Sequence, residues 1–400
     1  EVAMACKDLR SLAGCAAALS LGFTTAASAD QTVKIGMILS LSGPTASLGE
    51  NILHGAQLYF DTHKSELPKG VNVELLQRDD GGPNPGNARR LAQELIVRDH
   101  VQMIGGLVFT PNAAAIAPLA TQSKTPLVRM NASTSNLTRL SPYIVRVSYK
   151  KWQTAYTIGE WAGKHGFKKA YVAVSDYAPG IDSEKAFIAA FAKDGRQIVG
   201  TVHMPQITPD YVPYMQQIKN AKPDSMFMFT NAGRITTAAV KGYSDAGLKA
   251  AGITLLGPGD ITSDEELPNM GDAVLGTVTA GIYSAHSSLP QNVQFVKLWK
   301  SKYGADSTPS FMAVCGWDGM AAIFAAIKEG KYTGDAAMDA LKHWKNPDSP
   351  RGPIAIDQAT RDIVQQVYID KVEKVNGHLA NVTIETIPNV KDQWKLVNPL

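Results

Sequence analysis

The chain has 400 residues, which is longer than one ordinary hydrophobic core supports, so the length predicts two domains. Hydrophobic residues make up 44% and charged residues 19%, a balance that is typical of folded globular proteins and excludes a mainly disordered chain. The formal net charge of +3 comes without a dense run of Lys and Arg, which argues against nucleic acid as a partner.

The N-terminal segment has the pattern of an export signal. Lys7 and Arg10 precede an apolar run over residues 12–23, and Ala27-Ser28-Ala29 then supplies a small-residue cleavage site. The apolar run is too short for a permanent membrane span. We expect residues 1–29 to be a cleaved signal peptide and the remaining protein to be periplasmic.

The cysteines are consistent with this reading. Residues 12–15 (LAGC) have the form of a lipidation box, but the apolar run continues well past Cys15, which favours a freely soluble exported product. Cleavage leaves Cys315 as the single cysteine, so no internal disulfide is expected. Its apolar helical context predicts a small, buried side chain.

The stretch at residues 35–50 predicts a strand, a Ser/Gly/Pro loop and then a helix. Leu48, Ile52, Ala56 and Tyr59 recur at helical spacing and define one apolar face. A strand that enters a helix through small residues is typical of a βαβ unit, and the helix N-terminus presents free N–H groups to an anion. We therefore expect this loop, with Ser42, to form one wall of a ligand cleft.

Strand and helix patterns continue to alternate along the first half of the chain. Predicted strands cover residues 71–75, 103–104 and 126–128. Predicted helices begin after Asn84 and cover residues 112–122, while Asp79 and Asp80 belong to a capped turn that could otherwise hold a cation. This alternation predicts a parallel sheet covered on both faces.

The pattern restarts after Arg146 and predicts a second α/β domain. Its helices are expected over the ranges 152–165, 183–192, 211–220 and 236–246, and its strands over 170–174, 197–202, 225–229 and 254–257. After about Gly281, two more helices are expected over 292–303 and 310–329. Residues 364–372 and 382–387 resemble a hairpin, because Asn376-Gly377 is a strong tight-turn signal.

Signatures of catalysis are missing from the sequence. It contains no nucleophile elbow, P-loop, HExxH or CxxC motif, and the eight histidines are scattered. We therefore expect no enzyme activity, no catalytic residue, no cofactor and no metal. Lys150-Lys151 falls at a predicted domain crossing and is interpreted as a solvated pair.

Seven segments, in order and covering essentially the whole mature chain, carry a family resemblance. They read IGMILSLSGPTASLGENILHGAQL, LLQRDDGGPNPGNARRLAQELI, MIGGLVFTPNAAAIAPLA, TPLVRMNASTSNLT, SPYIVRVS, YVAVSDYAPGIDSEKAF and PDSMFMFTNAG. Together they resemble the periplasmic solute-binding proteins of ABC transporters, of the branched-chain (leucine/isoleucine/valine) amino-acid-binding type.

The resemblance implies an α/β, type I periplasmic-binding-protein fold, with two doubly wound parallel-sheet lobes joined by three hinge crossings. From the element order we place the crossings near residues 147, 281 and 356. The first lobe is then residues 30–147 plus 281–356, and the second is 148–280 plus 357–400. Ligand would bind between the lobes, hinge closure would trap it, and a membrane permease would receive it from a monomeric binding protein.

The resemblance also places the ligand's carboxylate on two loops of the first lobe. Residues 107–112 include Phe109, Thr110 and Asn112, and residues 131–134 include Asn131, Ala132 and Ser133. Phe109 stands where an amino-acid binder tends to have serine. Helix capping is the alternative role for Thr110 and Ser133.

The departures from the family pattern concern the ammonium group of an amino acid, which needs an acidic partner. Residues 149–153 contain no acid, and the family's GPE turn reads GPGD at residues 257–260, so Asp260 comes one position late and its side chain is expected to point elsewhere. Phe109, Trp152 and Tyr177 make the predicted cleft aromatic, with hinge packing as the alternative role for Trp152, and Asn231 is a further candidate ligand residue.

This composition favours a small hydrophobic or aromatic carboxylate as the ligand. The first alternative is a branched-chain amino-acid-binding protein in which Asp260 or another residue of the second lobe takes the ammonium group. More distant alternatives are a ligand-sensing receptor and an exported hydrolase.

Overall fold

A computed structural model describes residues 31–206 and 210–398. The predicted export signal at residues 1–29 lies outside the described residues. Two sheets organise the rest of the chain, one of five strands and one of nine.

The first part of the chain builds the five-stranded sheet. Its elements are β1 (Gln31–Leu39), α1 (Ala46–His63), β2 (Val71–Asp79), α2 (Pro85–Val97), β3 (Met103–Gly106), α3 (Thr110–Ser123), β4 (Leu127–Arg129) and β5 (Ile144–Arg146). The strand order is β2-β1-β3-β4-β5, and every neighbouring pair is parallel. Strands β3, β4 and β5 are buried throughout, as expected of a parallel sheet with helices on both faces.

The middle of the chain builds most of the second sheet. Its elements are α4 (Lys151–Lys164), β6 (Lys169–Ser175), α5 (Ala178–Phe191), β7 (Gln197–Met204), α6 (Val212–Ala221), β8 (Ser225–Phe229), α7 (Arg234–Asp245), β9 (Thr254–Pro258), α8 (Leu267–Met270) and β10 (Val278–Gly281). Strands β7, β6, β8, β9 and β10 lie side by side and are parallel.

The last part of the chain contributes to both lobes. Its elements are α9 (Pro290–Tyr303), α10 (Phe311–Lys328), α11 (Gly334–His343), β11 (Lys345–Asn346), β12 (Ile354–Ile356), β13 (Ile363–Val375), β14 (His378–Val390) and α12 (Gln393–Val397). Helix α10 is long and apolar enough to cross a membrane, but 89% of that window is buried, and it packs in the core of the first lobe.

The second sheet has antiparallel strands at one edge, besides the parallel strands that the sequence predicts. Strand β13 pairs antiparallel with β10, β14 and β12, and β11 pairs antiparallel with β12. The predicted hairpin explains the pairing of β13 with β14, because Asn376 and Gly377 take left-handed φ angles of +51° and +83° and reverse the chain within two residues. The sheet is therefore parallel with an antiparallel edge.

Both lobes use a glycine to bring a helix onto the end of the preceding strand. A Cβ at Gly49 of α1 would lie 2.0 Å from the carbonyl oxygen of Ser40, and one at Gly180 of α5 would lie 1.8 Å from that of Ser175. Only glycine permits this approach. The two helix N-termini are thereby held close to the strand ends, at the edge where ligands bind in open α/β sheets.

The hydrophobic residues divide into a first-lobe core and two clusters around the second sheet. Cys315 lies in the first of these cores and is fully buried, as its apolar context predicts. The lobe boundaries at residues 147, 281 and 356 stay a prediction.

Candidate functional site

Two loops at the carboxyl ends of neighbouring strands form the first-lobe wall of the site. Helix α3 begins at Thr110, directly after β3, and residues 130–134 follow β4. Leu107 and Ala132 take left-handed φ angles of +66° and +49°, which are unusual for residues with a Cβ. Such backbone strain concentrates at ligand-binding sites, and here it occurs in both loops.

A small cavity of about 20 Å³ lies between the lobes and opens against these loops. From the first lobe and the crossing it is lined by Leu48, Val108, Phe109, Thr110, Asn131, Ala132, Ser133, Tyr149, Lys151 and Met312. From the second lobe it is lined by Tyr177, Pro179, Asn231, Ala232 and Asp260. The structure thus brings together most of the residues that the sequence predicts for the site.

Two of the residues that line the cavity, Lys151 and Asp260, form a buried ion pair. Lys151 Nζ lies 2.6 Å from Asp260 Oδ1, and Tyr149 Oη donates to the same oxygen at 2.7 Å. Lys151 Nζ also donates to Tyr149 Oη at 2.9 Å. Lys151 is only 1% exposed and Asp260 only 5% exposed. Among the described residues that line the cavity, Asp260 is the only carboxylate.

Two predictions about these charges are therefore wrong. Lys150 and Lys151 are buried rather than solvated, because each has an acidic partner from a distant part of the chain: Lys150 Nζ lies 2.7 Å from Asp392 Oδ2. The side chain of Asp260 points into the cavity rather than elsewhere, because the turn after β9 directs it at Lys151.

Burial shapes the protonation of this group. Desolvation lowers the pKa of Lys151 below the usual lysine value, and the neighbouring Asp260 carboxylate opposes that shift. Desolvation, followed by the charge of Asp260, raises the pKa of Tyr149 well above the usual tyrosine value. Tyr149 therefore stays a neutral hydroxyl that donates to Asp260.

Tyr177 lines the second-lobe wall, and its ring packs near Phe229. The ring of Tyr177 stacks near that of Phe229 with a centroid separation of 6.1 Å, and Tyr177 Oη donates to Asn231 Oδ1. Lys151 Nζ lies 4.3 Å from the centroid of the Phe229 ring, within cation–π range. Phe109 faces the cavity from the first lobe.

Polar groups on the first-lobe wall are only partly used by the protein. The hydroxyls of Thr110 and Thr134 lie 3.0 Å apart, and Asn131 Nδ2 donates to the carbonyl of Val108 at 2.9 Å. Within the described chain, Asn131 Oδ1 has no hydrogen-bond partner, and no hydrogen bond is found for Ser133 Oγ. Helix α3 begins at Thr110, so the N–H groups of its first turn lack intrahelical acceptors.

Three predicted site residues do not line the cavity. The Asn112 side chain donates to Asp80 Oδ2 at 2.7 Å and to the carbonyl of Gly82 at 2.9 Å, and so it fastens the loop after β2 to α3. Asp79, which is not one of these three, accepts at Oδ1 from the N–H groups of Leu41 and Gly81, as the predicted capped turn requires. Ser42 is partly exposed in the loop after β1, outside the cavity lining.

Trp152 is the third of these residues. Its ring packs in a core cluster of the second lobe, and Nε1 donates to Asp182 Oδ1 at 2.9 Å. The other oxygen of Asp182 accepts from the N–H and hydroxyl of Ser135 in the first lobe, at 3.0 and 2.9 Å. Trp152 thus supports a contact between the lobes next to the cavity.

Two buried arginines behind the loops escaped the sequence interpretation. Arg129 Nη2 donates to the carbonyl of Asn131 at 3.0 Å, while Arg146 donates to the carbonyls of Ser133 and Thr134 at 3.1 and 2.7 Å. These guanidinium groups fix the loop carbonyls from the side away from the cavity. The available signal was two short apolar strands, LVR and IVR, whose arginines pair in register.

Comparison with known proteins shows which family the chain belongs to. The family model described as "Periplasmic binding protein" matches residues 32–377. The chain belongs to this family. The two-lobe α/β fold and the predicted resemblance are thereby confirmed.

Relatives of this periplasmic binding protein fall into two groups. The Leu/Ile/Val-binding protein homolog 6 of Brucella melitensis is 38% identical over 377 residues, covering 92% of this chain and 96% of the relative. A solute-binding protein of an ABC transporter from Rhodopseudomonas palustris BisB5, solved in complex with 3,4-dihydroxybenzoic acid, is 44% identical with a TM-score of 0.87, covering 91% of this chain and 99% of that one. A second R. palustris solute-binding protein, in complex with 4-hydroxybenzoate, is 42% identical with a TM-score of 0.87, covering 92% and 100%.

Proposed function

We propose that this periplasmic binding protein captures a small aromatic or other hydrophobic carboxylate between its lobes and delivers it to the permease of an ABC uptake transporter. One observation carries the proposal: the only carboxylate among the described cavity-lining residues, Asp260, is already paired with Lys151 and Tyr149. The cavity therefore lacks a free acidic group for the ammonium of an amino acid. The hydroxybenzoate complexes of the two R. palustris neighbours support the same ligand class.

The carboxylate of the ligand would bind to the first-lobe wall. Ser133 and Thr110 supply hydroxyl groups there, and the first turn of α3 supplies N–H groups without intrahelical acceptors. Hydrogen bonds to an ionised carboxylate contribute about 1.5–3 kcal/mol each. The aromatic ring would lie between Phe109 and Tyr177, and Asn131, Ala132 and Asn231 would complete its surroundings.

Electrostatics disfavours an α-amino acid in this cavity. An incoming ammonium group would share Asp260 with Lys151, whose Nζ is 2.6 Å from the carboxylate. Two like charges about 4 Å apart repel by about 4 kcal/mol at the effective dielectric constant of a protein surface. An aromatic carboxylate without an ammonium group avoids this cost.

A branched-chain amino-acid-binding protein is the second candidate, and the Leu/Ile/Val-binding homologue at 38% identity favours it. In that case Asp260 Oδ2, which accepts no hydrogen bond from the described residues, would receive the ammonium group. Lys151 would then have to lose its proton or move away from Asp260.

The remaining parts of the proposal follow the family. The protein works in the periplasm after its signal peptide is removed, acts as a monomer and releases its ligand chemically unchanged. Its lobes comprise residues 30–147 plus 281–356 and 148–280 plus 357–400, and they close about crossings near 147, 281 and 356. A sensing receptor or an exported hydrolase has no specific observation in its favour.

A thermal-shift screen tests the ligand class. Benzoates, cinnamates, short aliphatic acids and the twenty amino acids are added to the protein without residues 1–29. A ligand at 100 times its Kd stabilises the folded state by about 2.7 kcal/mol. We expect aromatic acids to raise the unfolding temperature, Ser133→Ala to reduce that rise, and the surface control Ser301→Ala to leave it unchanged. A rise with leucine, isoleucine or valine alone would overturn the proposal.

A further inference from the structure

We propose that Tyr149, Lys151 and Asp260 form a subsite for a hydroxyl group on the ring of the ligand, opposite its carboxylate. This inference rests on the proposed function and specifies which aromatic acids the site selects. The carboxylate donors belong to the first lobe and Asp260 to the second, so a ligand with polar groups at both ends of its ring can contact both lobes.

Asp260 and Lys151 each have a hydrogen-bonding group left over, and together these two groups match a hydroxyl. Asp260 Oδ1 accepts from both Tyr149 and Lys151, whereas no described residue donates to Oδ2. The Lys151 ammonium has three N–H donors, and two of them go to Asp260 and Tyr149. One acceptor and one donor therefore remain, and a hydroxyl is the small group that donates and accepts at once.

Burial makes this match selective. All three side chains are at most 5% exposed, so water replaces a missing ligand hydroxyl poorly. An unsubstituted ring would place apolar surface against a carboxylate and an ammonium group, leaving both without their last partner. A site built to bond a hydroxyl rejects the analogue that lacks it more strongly than an apolar pocket rejects a missing methylene.

Benzoates with different groups opposite the carboxylate distinguish a hydrogen bond donated to Asp260 from one accepted from Lys151. A methoxy group accepts from Lys151 but cannot donate to Asp260, and a ring amino group donates to Asp260 but accepts poorly from Lys151. The expected order of affinity is 4-hydroxybenzoate, then 4-aminobenzoate, then 4-methoxybenzoate and benzoate. We expect 4-hydroxybenzoate to bind roughly 10- to 100-fold more tightly than benzoate, as one charge-assisted hydrogen bond allows.

Isothermal titration of these four acids into the wild type and three variants provides the test. The double variant Lys151→Met/Asp260→Leu removes both charges together, so no unpaired ion is left buried. Asp260→Asn keeps the shape of the side chain and serves if the double variant does not fold, which circular dichroism shows. Asp272→Asn, on the surface of the second lobe, is the matched control.

In the double variant and in Asp260→Asn we expect the preference for 4-hydroxybenzoate over benzoate to fall below roughly threefold, while benzoate still binds. Asp272→Asn should keep the wild-type preference. Equal wild-type affinities for 4-hydroxybenzoate and benzoate, or a preference that survives in the variants, would overturn the subsite and leave the proposed function standing. Failure of every aromatic acid to bind the wild type would overturn the proposed function itself.

Discussion

Asp362 joins the two lobes electrostatically at the third predicted crossing. Its Oδ1 lies 2.9 Å from Arg146 Nε, and its Oδ2 lies 2.5 Å from Lys395 Nζ and 3.9 Å from Lys150 Nζ. Thr138 Oγ1 donates to Oδ2 at 3.0 Å. Because Arg146 also holds the loop carbonyls behind the cavity, one carboxylate supports both the crossing and the ligand wall.

Asp362→Asn should destabilise the protein strongly. The change removes one negative charge from a fully buried group and leaves Arg146, Lys150 and Lys395 with too little compensation. Breaking a buried ion pair by removing one partner costs about 3–5 kcal/mol. We expect a loss of that size in the free energy of unfolding, measured by urea denaturation at pH 7.

The stability difference between wild type and Asp362→Asn should depend on pH in a direction that the pKa of Asp362 determines. Burial alone would raise the pKa of Asp362, but Arg146, Lys150 and Lys395 outweigh it and hold the pKa well below the usual aspartate value. The stabilisation is therefore present above the unfolded pKa of about 3.9 and is lost as the pH falls through the folded pKa. The gap between wild type and Asp362→Asn should narrow below about pH 4.

The surface variant Asp272→Asn is the control and should change the free energy of unfolding by no more than about 0.5 kcal/mol. A loss below about 1 kcal/mol for Asp362→Asn would refute the reasoning. So would a gap that is the same size at pH 7 and in acid.

Three further predictions follow from buried side chains near the site. Trp152→Ala should lower the free energy of unfolding by about 3–5 kcal/mol in urea denaturation, because it empties a core position and leaves Asp182 Oδ1 without its donor. A stable variant with weakened ligand binding would instead return Trp152 to the ligand site. Ala132→Val should lower the free energy of unfolding by about 1–2 kcal/mol in the same assay, because a β-branched residue tolerates a φ of +49° poorly. An unchanged free energy of unfolding would show that the backbone of this loop is not strained. Burial raises the pKa of Cys315 to about 12, so in the chain without residues 1–29 we expect an aromatic disulfide reagent to react only after unfolding; rapid labelling of the native protein would contradict this.

The local sequence pattern was sufficient to predict most of the helices and strands. The alternation of short apolar runs with helical periodicity reflects the burial of parallel strands on both faces, and Asn376-Gly377 marked the hairpin because that turn needs left-handed residues. Helices α8, α11 and α12 and strands β5 and β10 were not predicted, and neither were strands β11 and β12. The two strands are only two and three residues long, so they carry too little periodicity to be recognised.

The site was predictable only in part, because its charges depend on distant partners. The loops with Thr110 and Ser133 follow from the resemblance and from their positions after buried strands. Lys151 looks solvated in sequence because its partner, Asp260, is 109 residues away along the chain. The sequence left Trp152 open between the ligand site and hinge packing, and helix α4 directs its ring at Asp182.

Titration of 4-hydroxybenzoate and leucine into the same preparation tests the ligand class most directly. The account predicts one molecule of 4-hydroxybenzoate per chain, with leucine binding at least roughly 100-fold more weakly because Lys151 already occupies the only carboxylate among the described cavity-lining residues. Tight binding of leucine, with no heat from the aromatic acid, would contradict it.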